Sequence, residues 1–127
     1  MKNVSNFYNK KGWKSKNNIT LDSNLFEDNR AVANNYVKKC RLKILNYIPR
    51  KGKNFLDFAS GPIQYEEYLK YSYNFKYRHC VDFSKAAIKI AKRKIKKRGK
   101  YYNKDFMQIK FKENFFDGSL SMHTIYH

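Results

Sequence analysis

The chain has 127 residues and a formal net charge of +18, from 28 Lys and Arg against 10 Asp and Glu. This length allows a single domain, and two cysteines are too few for a disulfide framework and too isolated for a zinc site. No apolar stretch approaches the roughly 18 residues of a transmembrane helix, and residues 1–6 contain no apolar core of a signal peptide. We therefore expect a cytoplasmic protein with no membrane segment.

The positive charge has two interpretations. Lys outnumbers Arg by 22 to 6 and is accompanied by 14 Asn and 11 Tyr, residue types that an AT-rich genome over-uses. In the first interpretation the lysines form a solvated surface without a partner. In the second the same charge serves to bind a polyanion.

Residues 1–52 are predicted to form an N-terminal arm followed by a helix. Residues 1–26 show little periodicity and predict an irregular segment with turns. Residues 27–48 predict a helix, because their apolar residues recur every three or four positions. This stripe consists of Ala33, Val37, Cys40, Ile44 and Ile48. Within it, Cys40 is interpreted as a small core residue.

Trp13 is the only Trp of the chain and lies beside Gly12 in an otherwise polar stretch. One interpretation is that it anchors the N-terminal arm to the body of the protein. The other is that it belongs to a lid and faces a ligand.

Residues 53–127 alternate between strand and helix signals. The predicted strands lie at 54–58, 77–82, 100–103 and 117–123. The predicted helices lie at 63–71 and 85–97, the second capped by Ser84 and followed by Gly99. This order predicts an α/β fold with a mainly parallel sheet and right-handed crossovers.

The ends of the first two predicted strands contain the residues of a nucleoside site. Small residues around Gly61 allow a tight turn with close backbone approach to a ligand. Asp82 follows Gly61 by 21 positions, the separation at which a carboxylate reaches ribose hydroxyls. Ala59 and Gln64 stand where a dinucleotide fingerprint needs glycines, so a nicotinamide dinucleotide is disfavoured. The alternative for Asp82 is a simple helix cap.

Four segments of the chain resemble the motifs of class I S-adenosylmethionine-dependent methyltransferases of the methyltransferase type 11-like kind. They occur in the family's order, at residues 56–65, 78–84, 105–111 and 116–127. The first reads LDFASGPIQY, with Ala59 in place of the first glycine of D-x-G-x-G. The resemblance implies a Rossmann-like three-layer sandwich, with a partial cofactor-binding domain at 53–127 after the N-terminal helical segment.

The resemblance also implies roles at the methionine and ribose end of S-adenosyl-L-methionine. The backbone of Ala59, Ser60 and Gly61 would face the methionine part. Asp57 would lie near the methionine amino group, partly through water. Asp82 would accept hydrogen bonds from both ribose hydroxyls.

Further roles concern the adenine ring and the transferred methyl group. Phe83 would lie against the adenine. Asp105 would accept from the adenine amino group, with the backbone of Phe106 beside the ring. His123 would border the transferred methyl group, and a structural histidine at a strand end is its alternative.

The chain ends where the resembled fold continues through three more strands. We therefore expect a truncated or split methyltransferase, which is either a nonfunctional or partial product or a form that works alone or with a partner. The fourth predicted strand would then form an exposed edge and promote self-association. The sequence Ser121-Met122-His123-Thr124 lacks the [DN]-P-P-[FYW] motif of base amino-methylation, so a small-molecule acceptor is expected.

The alternative function is a basic nucleic-acid-binding module without catalysis. Nine of the sixteen residues at 85–100 are Lys or Arg, and Tyr and Phe side chains elsewhere could stack on bases. Weak, nonspecific nucleic-acid binding through this helix is therefore one of two interpretations. A solvated helix face is the competing interpretation.

Overall fold

The computed structural model describes residues 2–17, 19–28 and 30–122. Its centre is a four-stranded parallel sheet with the strand order β5-β4-β3-β6. The strands are β3 (Gly52–Phe58), β4 (Phe75–Val81), β5 (Gly99–Tyr102) and β6 (Gly118–Leu120). The predicted α/β class is confirmed, and the arrangement is that of a Rossmann-like half fold.

The helices that flank the sheet are shorter than predicted. They are α3 (Ala31–Lys43), α4 (Glu66–Lys70) and α5 (Lys85–Ile95), with 3₁₀ turns at Ile44–Asn46, Lys96–Arg98 and Phe106–Gln108. The helix predicted from residue 27 begins only after Arg30, whose backbone is extended. The helix predicted from residue 63 is a single turn, because Ile63 has a left-handed φ of 53°.

The N-terminal arm is more regular than the sequence predicted. It consists of α1 (Lys2–Phe7), a π-helical turn (Tyr8–Gly12), the hairpin β1 (Ser15–Lys16) with β2 (Ile19–Thr20), and α2 (Leu21–Phe26). The Thr20 hydroxyl caps α2 by accepting a hydrogen bond from the backbone N–H of Ser23 at 3.1 Å. The irregular segment expected for 1–26 was wrong, since helices of six residues are too short to show an apolar period.

The hydrophobic core lies between the sheet and its helices. Its fully buried members are Phe55, Ile63, Tyr68, Tyr71, Phe75, Cys80 and Ala91. Burial raises the pKa of the Cys80 thiol to about 12, which keeps it protonated. The apolar stripe of α3 faces the body of the protein but is only half-buried, and Cys40 is half-buried with it. The prediction of Cys40 as a core residue is therefore only partly correct.

Helix α5 is capped as predicted but ends differently. The Ser84 hydroxyl accepts a hydrogen bond from the backbone N–H of Ala87 at 3.2 Å. Lys96, with a φ of 59°, takes the left-handed position at the end of the helix. Gly99 caps the 3₁₀ turn that continues α5 and so lies just past the helical segment, as predicted, but its φ of −87° is not left-handed and it begins β5. Among the described residues, no helix is long and apolar enough to cross a membrane.

Candidate functional site

The loop after β3 has an unusual backbone. Ala59, Gly61 and Ile63 adopt left-handed φ values of 53°, 56° and 53°. The backbone N–H of Ser60 donates to the carbonyl of Val81 at 3.1 Å, which extends the contact with β4 beyond the strand end. A left-handed conformation costs an L-residue about 1–2 kcal/mol, so the loop keeps a tight turn at Ala59 despite some strain.

Asp82 connects this loop to the end of β4. Its Oδ2 accepts a hydrogen bond from the backbone N–H of Gly61 at 2.8 Å, and its Oδ1 accepts from the backbone N–H of Ser84 at 2.7 Å. The residue is 8% exposed. Burial raises the pKa of Asp82, while the two backbone hydrogen bonds act in the opposite direction. The residues that the sequence placed at neighbouring strand ends are therefore in contact.

Asp57 lies in β3, two residues before Ala59, and forms a buried ion pair. Its Oδ2 accepts hydrogen bonds from Nε and Nη2 of Arg78 at 3.0 and 2.5 Å, and both side chains are almost fully buried. Arg78 Nη1 also donates to the backbone carbonyl of Tyr68 at 2.5 Å. The pair thus joins β3, β4 and α4. Arg78 was missed in the sequence because nothing in its strand marks it as the partner of a carboxylate.

The loop after β5 adds polar and aromatic groups to the same edge. Asn103 Nδ2 donates to the backbone carbonyl of Asp82 at 3.0 Å. The Asp105 carboxylate accepts from the backbone N–H of Met107 at 3.0 Å and so caps its own 3₁₀ turn. The ring of Phe106 stacks on Phe58 with centroids 4.8 Å apart. The expected roles of Asp105 and Phe106 at the adenine remain predictions.

Phe83 and His123 are two further residues that the sequence predicts at the site. The side chain of Phe83 is 41% exposed beside the end of β4, and its expected position against the adenine stays a prediction. His123 lies outside the described residues.

The N-terminal arm covers the loop after β3. The Trp13 ring lies 3.6 Å from the position of a Cβ built on Gly61. Tyr8 stacks on Trp13 with centroids 4.8 Å apart. The Asn9 Oδ1 accepts from the Ser84 hydroxyl at 3.2 Å and the backbone N–H of Ala86 at 3.4 Å. Gly61 and Asp82 are therefore buried beneath the arm.

A second contact fixes the arm at its other end. Gln64 Nε2 donates to the hydroxyl of Thr20 at 2.9 Å. Of the arm's residues in these contacts, the sequence singled out only Gly12 and Trp13, because a lone Trp beside a glycine stands out in a polar segment. The contributions of Tyr8, Asn9 and Thr20 depend on folding and carry no sequence signal.

The sequence and the fold both have known relatives. Residues 56–127 match the family described as methyltransferase domain, and the chain belongs to this family. No protein with curated function matches the sequence.

Three solved structures share the fold. A protein from Methanococcus maripaludis, provisionally assigned as an S-adenosyl-L-methionine-dependent methyltransferase, has a TM-score of 0.59 at 20% identity, over 89% of this chain and 54% of its own. Geranyl diphosphate C-methyltransferase from Streptomyces coelicolor A3(2), in complex with Mg²⁺, geranyl diphosphate and S-adenosyl-L-homocysteine, has a TM-score of 0.64 at 10% identity, over 94% and 52%. The [4+2]-cyclase SpnF has a TM-score of 0.54 at 19% identity, over 74% and 36%.

The chain spans about half the length of the first two structures. Since one protein with the shared fold is a cyclase, the fold by itself does not determine the reaction.

Proposed function

We propose that this chain binds S-adenosyl-L-methionine across the ends of β3 and β4 and takes part in methyl transfer. The observation that carries the proposal is the contact between Asp82 and Gly61, within a chain of the methyltransferase domain family. Ligands of open α/β sheets bind at the carboxyl ends of the strands. This contact lies at that edge, between two adjacent parallel strands.

The residues of the site fit the cofactor chemically. Each carboxylate oxygen of Asp82 accepts one backbone hydrogen bond. Since a carboxylate has about four acceptor sites, two remain for the ribose hydroxyls. Gly61 has no side chain and a positive φ, so the methionine part could approach the loop backbone closely beneath the arm.

The cofactor, when bound, supplies an activated methyl group on a sulfonium. The residues proposed here hold it: Asp82 at the ribose, Phe83 and Asp105 with the Phe106 backbone at the adenine, and the backbone of 59–61 at the methionine. Asp57 lies near the methionine amino group, partly through water, and its pairing with Arg78 fixes the end of β3 that positions the loop. Orientation of methyl donor and acceptor supplies most of the rate in such a displacement.

A small-molecule acceptor is the proposed substrate. The solved geranyl diphosphate C-methyltransferase holds such an acceptor together with S-adenosyl-L-homocysteine. We propose that His123 borders the transferred methyl group. Since the chain spans about half of that structure, cofactor binding is the part of this function that the chain can be tested for directly.

Calorimetric titration tests the proposal. We expect S-adenosyl-L-homocysteine to bind the full chain, and NAD⁺ at the same concentration to produce no binding heat. Ala59 and Pro62 restrict the backbone approach that a pyrophosphate needs. Binding of NAD⁺ in preference to S-adenosyl-L-homocysteine would contradict the proposal.

A second candidate is polyanion binding by the region around α5. Residues 83–104 contain ten Lys and Arg and no Asp or Glu, and Lys85, Lys89 and Lys92 are exposed. Binding of a single-stranded RNA with an affinity that falls steeply with salt, without S-adenosyl-L-homocysteine binding, would favour this candidate.

A separate proposal is that β6 pairs between two copies of the chain, because β6 is an edge strand of the described sheet. Light scattering tests this self-association.

A further inference from the structure

The indole Nε1 of Trp13 is a buried donor without an acceptor. Within residues 2–17, 19–28 and 30–122 it is the one buried side-chain nitrogen or oxygen that has no hydrogen-bond partner. Buried polar groups are nearly always paired, and an unpaired donor costs free energy. The position of Trp13 therefore indicates a missing acceptor.

The unpaired donor lies beside the loop after β3. The ring atoms Cζ2 and Cη2 of Trp13 are those at 3.6 Å from the Cβ position of Gly61, and Cζ2 is two bonds from Nε1. The missing acceptor is therefore expected next to this loop, on the side that the N-terminal arm covers.

Neighbouring groups fix the orientation of the ring. Tyr8 stacks on Trp13 at an interplanar angle of 27°. A side chain at Gly12 would come within 2.7 Å of the Tyr8 ring, so the glycine permits this stack. Because the stack limits rotation of the indole, Nε1 cannot readily turn towards solvent.

The chemistry of the donor selects its partner. An indole N–H donates and does not accept. Of the three charged groups on the methionine part of the proposed cofactor, the ammonium is also a donor and the sulfonium is a cation, so only the carboxylate accepts. Residues 8–17 of the arm contain Lys10, Lys11, Lys14 and Lys16 and no acidic residue, so the local charge also favours an anion.

We propose that Trp13 is a cofactor-binding residue whose Nε1–H donates a hydrogen bond to the methionine carboxylate of S-adenosyl-L-methionine. The inference rests on the proposed function. It assigns the N-terminal arm a direct contact with the cofactor, in addition to covering the site.

Two ligands that differ in the methionine part provide the test. Calorimetry on the full chain compares S-adenosyl-L-homocysteine with 5′-methylthioadenosine, which lacks the amino and carboxylate groups. Trp13→Phe keeps an aromatic ring against Tyr8 and removes the N–H. We expect this variant to weaken S-adenosyl-L-homocysteine binding about tenfold or more, the usual effect of losing a hydrogen bond to a charged group. The affinity for 5′-methylthioadenosine should stay the same.

Tyr47→Phe serves as the control, since it removes an aromatic hydroxyl at a position that is 87% exposed and lies outside the arm. It should leave both affinities unchanged. Equal weakening of both ligands in Trp13→Phe, or no weakening of either, would overturn the inference while leaving the proposed function intact. If the unmodified chain binds neither ligand, the proposed function itself fails and the inference fails with it.

Discussion

The carboxylate of Asp82 accepts a hydrogen bond from the backbone N–H of Gly61 at 2.8 Å, although 21 residues separate the two. The parallel pairing of β3 with β4 produces this contact, since Phe58 is in register with Val81 and both strands end at the same edge. A bound nucleoside at this edge would meet both residues together. Changes at either residue should therefore affect cofactor binding.

Gly61→Val should weaken binding of S-adenosyl-L-homocysteine at least tenfold. A β-branched residue is strongly disfavoured at a φ of 56°, and its methyl groups would crowd the Trp13 ring beyond the 3.6 Å contact of Cβ. Calorimetry measures the affinity, and the emission of the single Trp reports displacement of the ring. Ser119→Val, at an exposed position in β6, is the control and should leave affinity and emission unchanged. Unaltered binding by Gly61→Val would contradict the assignment of the loop.

Ala59→Gly should raise the free energy of unfolding by up to about 1.6 kcal/mol. Relief of the left-handed strain at a φ of 53° gives about 1–2 kcal/mol, and the greater freedom of glycine in the unfolded chain offsets about 0.4–1 kcal/mol of it. Urea unfolding measures the change. Ala91→Gly, in the interior of α5, should instead lower stability by about 1 kcal/mol or more. A loss of stability in Ala59→Gly would show that the alanine is not strained.

Arg78→Met should lower the free energy of unfolding by about 3–5 kcal/mol, because it leaves the buried Asp57 carboxylate without a charged partner. Adding Asp57→Asn should recover part of this loss, since the isolated charge is then gone. Denaturant unfolding of the two single variants and the double variant measures the coupling. If the stability losses of the two single variants add up to the loss of the double variant, the Arg78–Asp57 pair has no coupling free energy.

Stability should fall as the pH decreases from 7.5 to 5, in part because of His79. Its Nδ1 lies 3.0 Å from the Tyr102 hydroxyl, and its Nε2 lies 3.0 Å from Asn54 Oδ1. Burial, with a smaller effect from the Lys100 charge, holds the pKa of His79 below its ordinary value of 6.5. The unfolded chain therefore takes up the proton first, so acidification favours unfolding.

Urea unfolding at both pH values measures this dependence in the unmodified chain and in His79→Phe. The variant should show a smaller decrease in stability on acidification, and one proton accounts for at most about 1.4 kcal/mol per pH unit. Equal pH dependence in both proteins would exclude His79 as a source. The other two histidines, His123 and His127, are present in both proteins, so their titration does not affect the comparison.

The sequence was sufficient to predict the parallel sheet and the meeting of Asp82 with Gly61 at one edge of it. Both follow from the alternation of strands and helices, which restricts the chain to parallel strands whose carboxyl ends share one edge. The Ser84 cap of α5 was also predicted, because it depends on contacts within one helical turn.

The remainder depends on contacts that have no local signal. Arg78 in β4 reaches Asp57 in the neighbouring strand β3, and the sequence around Arg78 resembles that of any buried strand. The left-handed backbone of Ile63 is set by the loop it closes rather than by its own residue type, which is rare in that conformation. The arm lies over the site through Trp13, where tertiary packing decides the placement.

Binding of S-adenosyl-L-homocysteine to Asp82→Asn and to Asp117→Asn is the most direct test of the account. Both carboxylates accept two backbone hydrogen bonds, but Asp117 binds the N–H groups of Lys53 and Asn54 at the opposite end of β3. We predict that Asp82→Asn weakens binding at least tenfold, while Asp117→Asn retains the affinity of the unmodified chain. Equal affinity of all three proteins, or no binding by the unmodified chain, would contradict the proposal that Asp82 holds the cofactor.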